Sequence, residues 1–101
     1  MADNVNHPDH YEKFCSLECI EAMEIAFGAD AVLQFCKLNA FKYVWRWKNK
    51  NGREDLEKAK WYVNQARREL ANGTVNRWYE EPSLDALDNY ISENMNGLVE
   101  P

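Results

Sequence analysis

The sequence predicts an all-α protein: a small domain of three core helices plus a C-terminal helix, with an irregular N-terminal segment. Apolar residues recur at spacings of three and four along most of the chain, whereas strand-like alternation is nowhere sustained. At 101 residues, the chain has room for one core of modest size. The expected division is residues 1–15 for the irregular segment, 16–73 for the helical core and 74–101 for a C-terminal extension with a short helix.

The first helix is predicted to begin after Ser16, a residue type that caps helix N-termini, and to end before Gly28. This gives a short helix of about three turns at 3.6 residues per turn. Its apolar positions follow the three-to-four spacing and form an inner face: Leu17, Ile20, Met23 or Glu24, and Phe27.

The second helix is predicted to start at Asp30 as its N-cap and to run to "KNKNG", where basic residues and Gly52 favour a stop. Its buried stripe is expected to contain Val32, Phe35 or Cys36, Ala40, Tyr43 or Val44, and Trp47. Phe41 and Trp45 add apolar surface that a single neighbouring helix would not cover. This surplus indicates either a central helix or a subunit interface, and from the second we expect the protein to be a homo-oligomer.

The third helix is predicted over about residues 54–71, ending at the "NG" of Asn72 and Gly73. Its apolar residues have a regular heptad-like spacing: Leu56, Ala59, Val63, Ala66 and Leu70. The short connection after the second helix makes these two helices antiparallel neighbours. Residues 73–83 look irregular, and Ser83 is expected to cap a last amphipathic helix carrying Leu84, Leu87 and Ile91.

Charge is unevenly spread along a chain whose net charge is −5. A basic middle, with eight bases and three acids in residues 37–60, separates two acidic flanks. Overall acidity argues against a duplex nucleic acid partner, because such binding depends on neutralising many phosphates. The local basic patch is better suited to a small phosphorylated ligand.

The chain contains no apolar run long enough to cross a membrane, and its N-terminus lacks the basic-then-apolar order of a secretory signal. We therefore expect a cytoplasmic protein without a membrane partner. The odd number of cysteines, Cys15, Cys19 and Cys36, favours reduced thiols over a disulfide framework.

A row of polar and basic side chains follows the second helix beside its apolar stripe. Spacings of three, four and four place Asn39, Lys42, Arg46 and Lys50 on one side of the helix. A solvated charged face would give the same spacing. However, residues 36–53 contain no Asp or Glu, whereas solvated helices mix both signs. Bases without acidic neighbours are suited to phosphate, which arginine can bind through two nitrogens.

The start of the third helix lies close to this row. Asp55 can interact with the helix dipole, while Lys58 can pair with it or reach the same anion. Tyr62 follows one turn later and can line the same side. Cys19 and three residues of the N-terminal segment, His7, His10 and Cys15, could form a zinc set, but their crowded spacing disfavours one. Cys19 is instead expected on the inner face of the first helix, and we predict no metal.

His7, His10 and Tyr11 remain candidates for ligand contact, with a plain surface loop as the equal alternative. Histidine supplies a hydrogen-bond donor near neutral pH, and tyrosine supplies a face for stacking. Common phosphate loops and hydrolase motifs are absent from the sequence, so no catalytic residue can be assigned from motifs.

Three blocks occur in order: "NHPDHY", "ECIEAME" and "NAFKYVWRWKNKNGREDLEKAKWYV". Together they resemble a small phage-encoded family of unknown function, DUF3310, whose SaV-like members include some named phage nucleotide kinases. The resemblance covers residues 4–65. It implies a site formed by the following residues: His7, His10, Tyr11, Asn39, Lys42, Tyr43, Arg46, Lys50, Asp55, Lys58 and Tyr62.

Three functions stay open. In the first, the protein binds a nucleotide or nucleotide-derived ligand without chemistry, as a sponge for a host immune signal in the cytoplasm of an infected bacterium. The phosphates would lie on the basic residues, with Tyr11 or Tyr43 stacking on a base. The second is a deoxynucleoside monophosphate kinase, which alone would need ATP and Mg²⁺. The third is a helical protein-interaction module.

Overall fold

Four helices form the described part of the protein, which is residues 17–98 of a computed structural model. They are α1 (Leu17–Phe27), α2 (Ala29–Arg46), α3 (Arg53–Asn72) and α4 (Arg77–Asn96). A single 3₁₀ turn, Trp47–Asn49, follows α2. No strand occurs within residues 17–98, so the predicted all-α class is confirmed. Within the same range, no helix is long and apolar enough to span a membrane.

The α2–α3 hairpin is the centre of the fold. Antiparallel packing is visible at both ends, where Arg46 pairs with Asp55 and Asp30 binds Thr74. All five apolar residues predicted for the inner face of α3 are buried. On α2, the buried stripe consists of Val32, Leu33, Cys36, Ala40, Tyr43 and, just beyond the helix end, Trp47. Leu33 was not among the predicted positions.

Helix α4 packs on both members of this hairpin. Leu84 and Ile91 enter the core and are fully buried. Lys60 pairs with Asp88 across the α3–α4 contact, and Lys37 pairs with Glu80 across the α2–α4 contact, each at 2.6 Å. The C-terminal extension therefore belongs to the same core as the other helices.

Two predicted helix starts are wrong. Gly28, at φ 92°, is the N-cap of α2, whereas Asp30 lies inside the first turn. Its carboxylate instead accepts hydrogen bonds from the backbone N–H groups of Thr74 and Val75, at 2.8 and 3.3 Å. Asn76 caps α4 by accepting from the Trp78 N–H at 2.8 Å.

The start of α4 was misplaced because of Pro82, which lies inside the helix. Proline lacks the N–H that would bond to the carbonyl four residues earlier, so it usually marks an interruption. Here the helix continues, and the Ser83 hydroxyl, predicted to be a cap, donates to the Glu80 carbonyl at 3.0 Å. The predicted short helix is thus a 20-residue one.

Helix α1 differs from its predicted pattern at two residues. Ile20 is the buried contact of this helix, but Phe27, predicted on the same inner face, is 75% exposed. Cys19 was expected to face inward and is exposed as well. Ser16, the predicted cap, lies outside the described residues. Because α1 contacts mainly α2, a narrow inner face is enough to seat it.

Candidate functional site

A pair of stacked tyrosines forms the base of the candidate site. The rings of Tyr43 on α2 and Tyr62 on α3 are 5.9 Å apart between centroids and 15° from parallel. Both are buried, at 8% and 4% exposure. The predicted stacking of a base on Tyr43 does not fit this arrangement, because the ring is already covered. The pair instead fixes α2 against α3 where the charged residues meet.

Three cations surround the ring of Tyr43. The Arg46 guanidinium carbon lies 4.7 Å from the ring centroid, and the Nζ atoms of Lys42 and Lys58 lie at 5.0 and 5.4 Å. Each distance is within the range of a cation–π contact. Residues from two helices therefore converge on one ring and form what we call the cationic cluster, Lys42, Arg46 and Lys58.

Arg46 is held in place by a fully buried carboxylate. Its Nε and Nη2 atoms donate to the two oxygens of Asp55, at 3.2 and 3.3 Å. Asn51 donates to the same carboxylate through its backbone N–H, at 3.3 Å, and its side-chain amide, at 3.2 Å. The Asp55 side chain has no exposed surface, while that of Arg46 is 32% exposed. Asp55 thus fixes the orientation of the guanidinium, and the Arg46 side chain remains partly exposed to solvent.

The pKa values reflect this arrangement. Burial acts to raise the pKa of Asp55, but the hydrogen bonds from Arg46 and Asn51 outweigh it and leave that pKa lowered. The hydrogen bond to Asp55 raises the pKa of Arg46. Both groups are therefore charged at neutral pH.

The lysines of the cluster have different surroundings. Lys58 is buried and lies 3.5 Å from Glu54, one turn earlier on α3. Lys42 is exposed and has no carboxylate within 4.0 Å among residues 17–98. Among residues 17–98, Arg46 and Lys58 thus each have a carboxylate partner, and Lys42 is the exposed cation of the cluster without an acid within 4.0 Å.

The prediction that the basic row of α2 has no acidic partner and extends to Lys50 is wrong. Although residues 36–53 contain no acid, Arg46 is neutralised by Asp55 from the next helix. Lys50 does not continue the row, because α2 ends at Arg46 and Lys50 follows the 3₁₀ turn with φ −130° and ψ −104°. Asn39 donates to the Phe35 carbonyl of its own helix at 2.9 Å.

The structure brings together six of the predicted site residues: Lys42, Tyr43, Arg46, Asp55, Lys58 and Tyr62. The proposed N-terminal contacts, His7, His10 and Tyr11, lie outside the described residues, as does Cys15 of the zinc alternative. Between residues 17 and 98, no group of three or more His, Cys, Asp or Glu side chains is placed to hold a metal.

Sequence reasoning missed Asn51 and Glu54. Both lie at the turn between α2 and α3, and both contact a charged member of the site. Asn51 could have been recognised as an amide in a tight turn four residues before a buried acid. Glu54 could have been recognised as the partner of Lys58 at the helical spacing of four.

Comparison with known proteins gives one match. A family model described as a protein of unknown function (DUF3310) matches residues 5–64. No curated protein and no solved structure matches the chain. The matched range includes the whole cationic cluster and ends inside α3.

Proposed function

The chain belongs to DUF3310, a family of unknown function, and we propose that it binds a phosphorylated, nucleotide-type small molecule. The observation that carries the proposal is the convergence of Lys42, Arg46 and Lys58 on the ring of Tyr43. Desolvated or partly desolvated cations held close together attract a multiply charged anion more strongly than dispersed surface cations do.

The geometry of Arg46 supports a phosphate ligand in particular. Asp55 occupies Nε and Nη2, and Nη1 makes no hydrogen bond with any residue between 17 and 98. A guanidinium that is already oriented loses less side-chain freedom when it binds an anion. Lys42, which is exposed beside it, supplies an ammonium for a second oxygen or a second phosphate.

The proposed role is sequestration: the ligand is held and released unchanged. In an infected bacterium, a protein of this kind would lower the concentration of a nucleotide immune signal and so act as a sponge against host defence. His7, His10 and Tyr11 are proposed to contact the base or sugar. Phosphoryl transfer would need donor and acceptor phosphates held in line, and the Asp55 carboxylate of the cluster is fully buried and already accepts hydrogen bonds from Arg46 and Asn51.

Ligand release by heat tests the proposal. The purified full-length protein is incubated with a panel of nucleoside mono-, di- and triphosphates and cyclic nucleotides, washed, and heat-denatured, and the released molecules are analysed by mass spectrometry. We expect one ligand, chemically intact and in stoichiometric amount. Recovery of interconverted mono-, di- and triphosphates would establish a kinase instead.

The ligand affinity of the Lys42→Ala variant tests whether the ligand binds at the cationic cluster. Lys42 is exposed and has no carboxylate partner within residues 17–98, so its truncation removes a cation–π contact and should lower the free energy of unfolding of the unliganded protein by no more than about 1 kcal/mol. We expect the ligand affinity to fall by about tenfold or more, the usual loss for a charged hydrogen bond of roughly 1.5–3 kcal/mol. Lys48→Ala is the matched control, since Lys48 is also exposed and lies beside a different ring, that of Trp47. Equal losses in both variants would refute the assignment.

A further inference from the structure

Helix α2 carries a second apolar stripe on the side opposite the core. Leu38, Phe41 and Trp45 are 69%, 52% and 78% exposed. Their spacings of three and four place them in one line, and the rings of Phe41 and Trp45 lie 5.9 Å apart. Buried residues such as Cys36, Ala40 and Tyr43 face the other way. We call Leu38, Phe41 and Trp45 the outer stripe.

The outer stripe and the cationic cluster adjoin. Lys42 follows Phe41 in the chain, and at about 100° per residue it lies between the outer stripe and Arg46 around the helix. Any molecule that covers the outer stripe therefore approaches Lys42. A ligand at the cationic cluster and a partner on the outer stripe would therefore both contact Lys42. This residue has no carboxylate within 4.0 Å among residues 17–98, so it can interact with either.

On the basis of the proposed function, we propose that a phosphorylated anion joins two copies of this chain through their outer stripes, and that Lys42 of both copies contacts it. The stripe is self-complementary, as a two-fold contact requires. Its centre lies between Phe41 and Lys42, so antiparallel pairing places Leu38 of one copy against Trp45 of the other. A two-fold axis perpendicular to both helices brings the same flank of each helix to the same side of the contact. Lys42 of one copy then lies beside Lys42 of the other.

The available area makes this contact dependent on the anion. A fully exposed aromatic side chain contributes roughly 150–250 Å², so the outer stripe offers about 400 Å² per copy. Stable interfaces bury about 800 Å² per partner. The approach of two Lys42 ammonium groups weakens the unliganded contact further, whereas a multivalent phosphate between them turns repulsion into attraction. Ligand binding and dimerisation are therefore linked, and each strengthens the other.

Sedimentation velocity with inorganic pyrophosphate tests this linkage. The full-length protein is run at a series of concentrations with and without pyrophosphate, while isothermal calorimetry measures pyrophosphate binding separately. We expect saturating pyrophosphate to tighten the monomer–dimer equilibrium by about tenfold or more, within the range typical of linked sites. Calorimetry is expected to give one pyrophosphate per two chains.

Variants separate the two halves of the proposal. Trp45→Ala should abolish the pyrophosphate-dependent dimer, whereas Trp78→Ala, a tryptophan of equal exposure on α4, should not. Lys42→Ala should remove the dependence on pyrophosphate without weakening the unliganded association. Pyrophosphate that binds one per chain and leaves the mass unchanged would overturn the dimer but not the proposed site. If calorimetry detects no binding, the anion site and the linked dimer both fail.

Discussion

Helix α3 carries two buried carboxylates with opposite surroundings. Asp55, near its N-terminus, is fully buried and accepts four hydrogen bonds from Arg46 and Asn51. Glu69, near its C-terminus, is 3% exposed, and its Oε1 atom is buried without a hydrogen-bond partner in the described part of the chain. The carboxylate of Asp55 is hydrogen-bonded and the Oε1 atom of Glu69 is not, although both residues lie on the same helix.

The pKa values of the two carboxylates move in opposite directions. The pKa of Asp55 is lowered because the donors around it outweigh its burial. The pKa of Glu69 is raised by burial and by the nearby charge of Glu24, against a smaller opposing effect of Arg68. Burial, with the added charge of Glu69, also raises the pKa of the Cys36 thiol to about 12, so this thiol stays protonated and unreactive. The hydrogen-bonded carboxylate is therefore at the Asp55 end of the helix, where the cationic cluster lies.

The largest effect is expected from Arg46→Ala, which removes the main partner of Asp55. Losing one member of a buried ion pair costs about 3–5 kcal/mol. Arg46 is partly exposed and Asn51 still donates to Asp55, so we expect the free energy of unfolding to fall by about 2–3 kcal/mol. Urea denaturation at pH 7 measures the loss. For the same reason, this substitution is unsuitable as a test of ligand binding alone.

Arg67→Ala is the control for that experiment. Arg67 pairs with Asp85 and Asp88 on α4, but Asp85 is largely exposed. An exposed pair contributes at most about 1 kcal/mol. If Arg46→Ala and Arg67→Ala lower the free energy of unfolding equally, the buried pair of Arg46 and Asp55 contributes no more to stability than the exposed pair does.

A gain in stability is expected when Glu69 is replaced by methionine. The substitution removes a buried carboxylate that lacks a partner and keeps a side chain of similar length, so we expect the free energy of unfolding to rise by about 1–2 kcal/mol at pH 8. Glu57→Met, an exposed position on the same helix, is the control and should change it by no more than about 0.5 kcal/mol. A loss of stability at Glu69 would mean that its carboxylate has a donor in solution.

The gain at Glu69 should depend on pH. Because the folded-state pKa of Glu69 is raised above its ordinary value of 4.5, the folded protein holds this proton more tightly than the unfolded chain does. Wild-type stability should therefore decline as the pH rises from 4.5 through the raised pKa. Denaturation curves between pH 4.5 and 8 should show that Glu69→Met lacks this decline, so the two proteins converge at the acidic end.

The smallest effect is expected from Asn51→Ala. It removes the amide donor to Asp55 but leaves the backbone N–H of residue 51 in place. We expect a loss of about 1 kcal/mol in the free energy of unfolding, the usual contribution of one hydrogen bond. Asn64→Ala, an exposed asparagine in the middle of α3, serves as the comparison and should have no measurable effect. If both variants have the same free energy of unfolding, Arg46 stabilises the buried Asp55 carboxylate without a contribution from the Asn51 amide.

The regular apolar spacing of the sequence made the fold predictable. The contacts between charged residues of different helices could not be predicted in the same way. The buried face of α3 follows from the spacing of Leu56, Ala59, Val63, Ala66 and Leu70 in the sequence. The pairing of Arg46 with Asp55 crosses a turn, and the binding of Thr74 by Asp30 joins residues 44 positions apart. Helical periodicity says which residues share a face of one helix, but it does not say which charges a neighbouring helix brings to them.

Because α4 contributes to the core, we expect the smallest unit that can fold to include this helix. The family match ends at residue 64, inside α3, yet Ala66, Leu70, Leu84 and Ile91 are all buried beyond that point. A fragment cut at the family boundary would lose these four residues and expose the part of the core against which they pack. Fusions or grafts of this module should therefore retain the chain to at least residue 96, where the last helix ends.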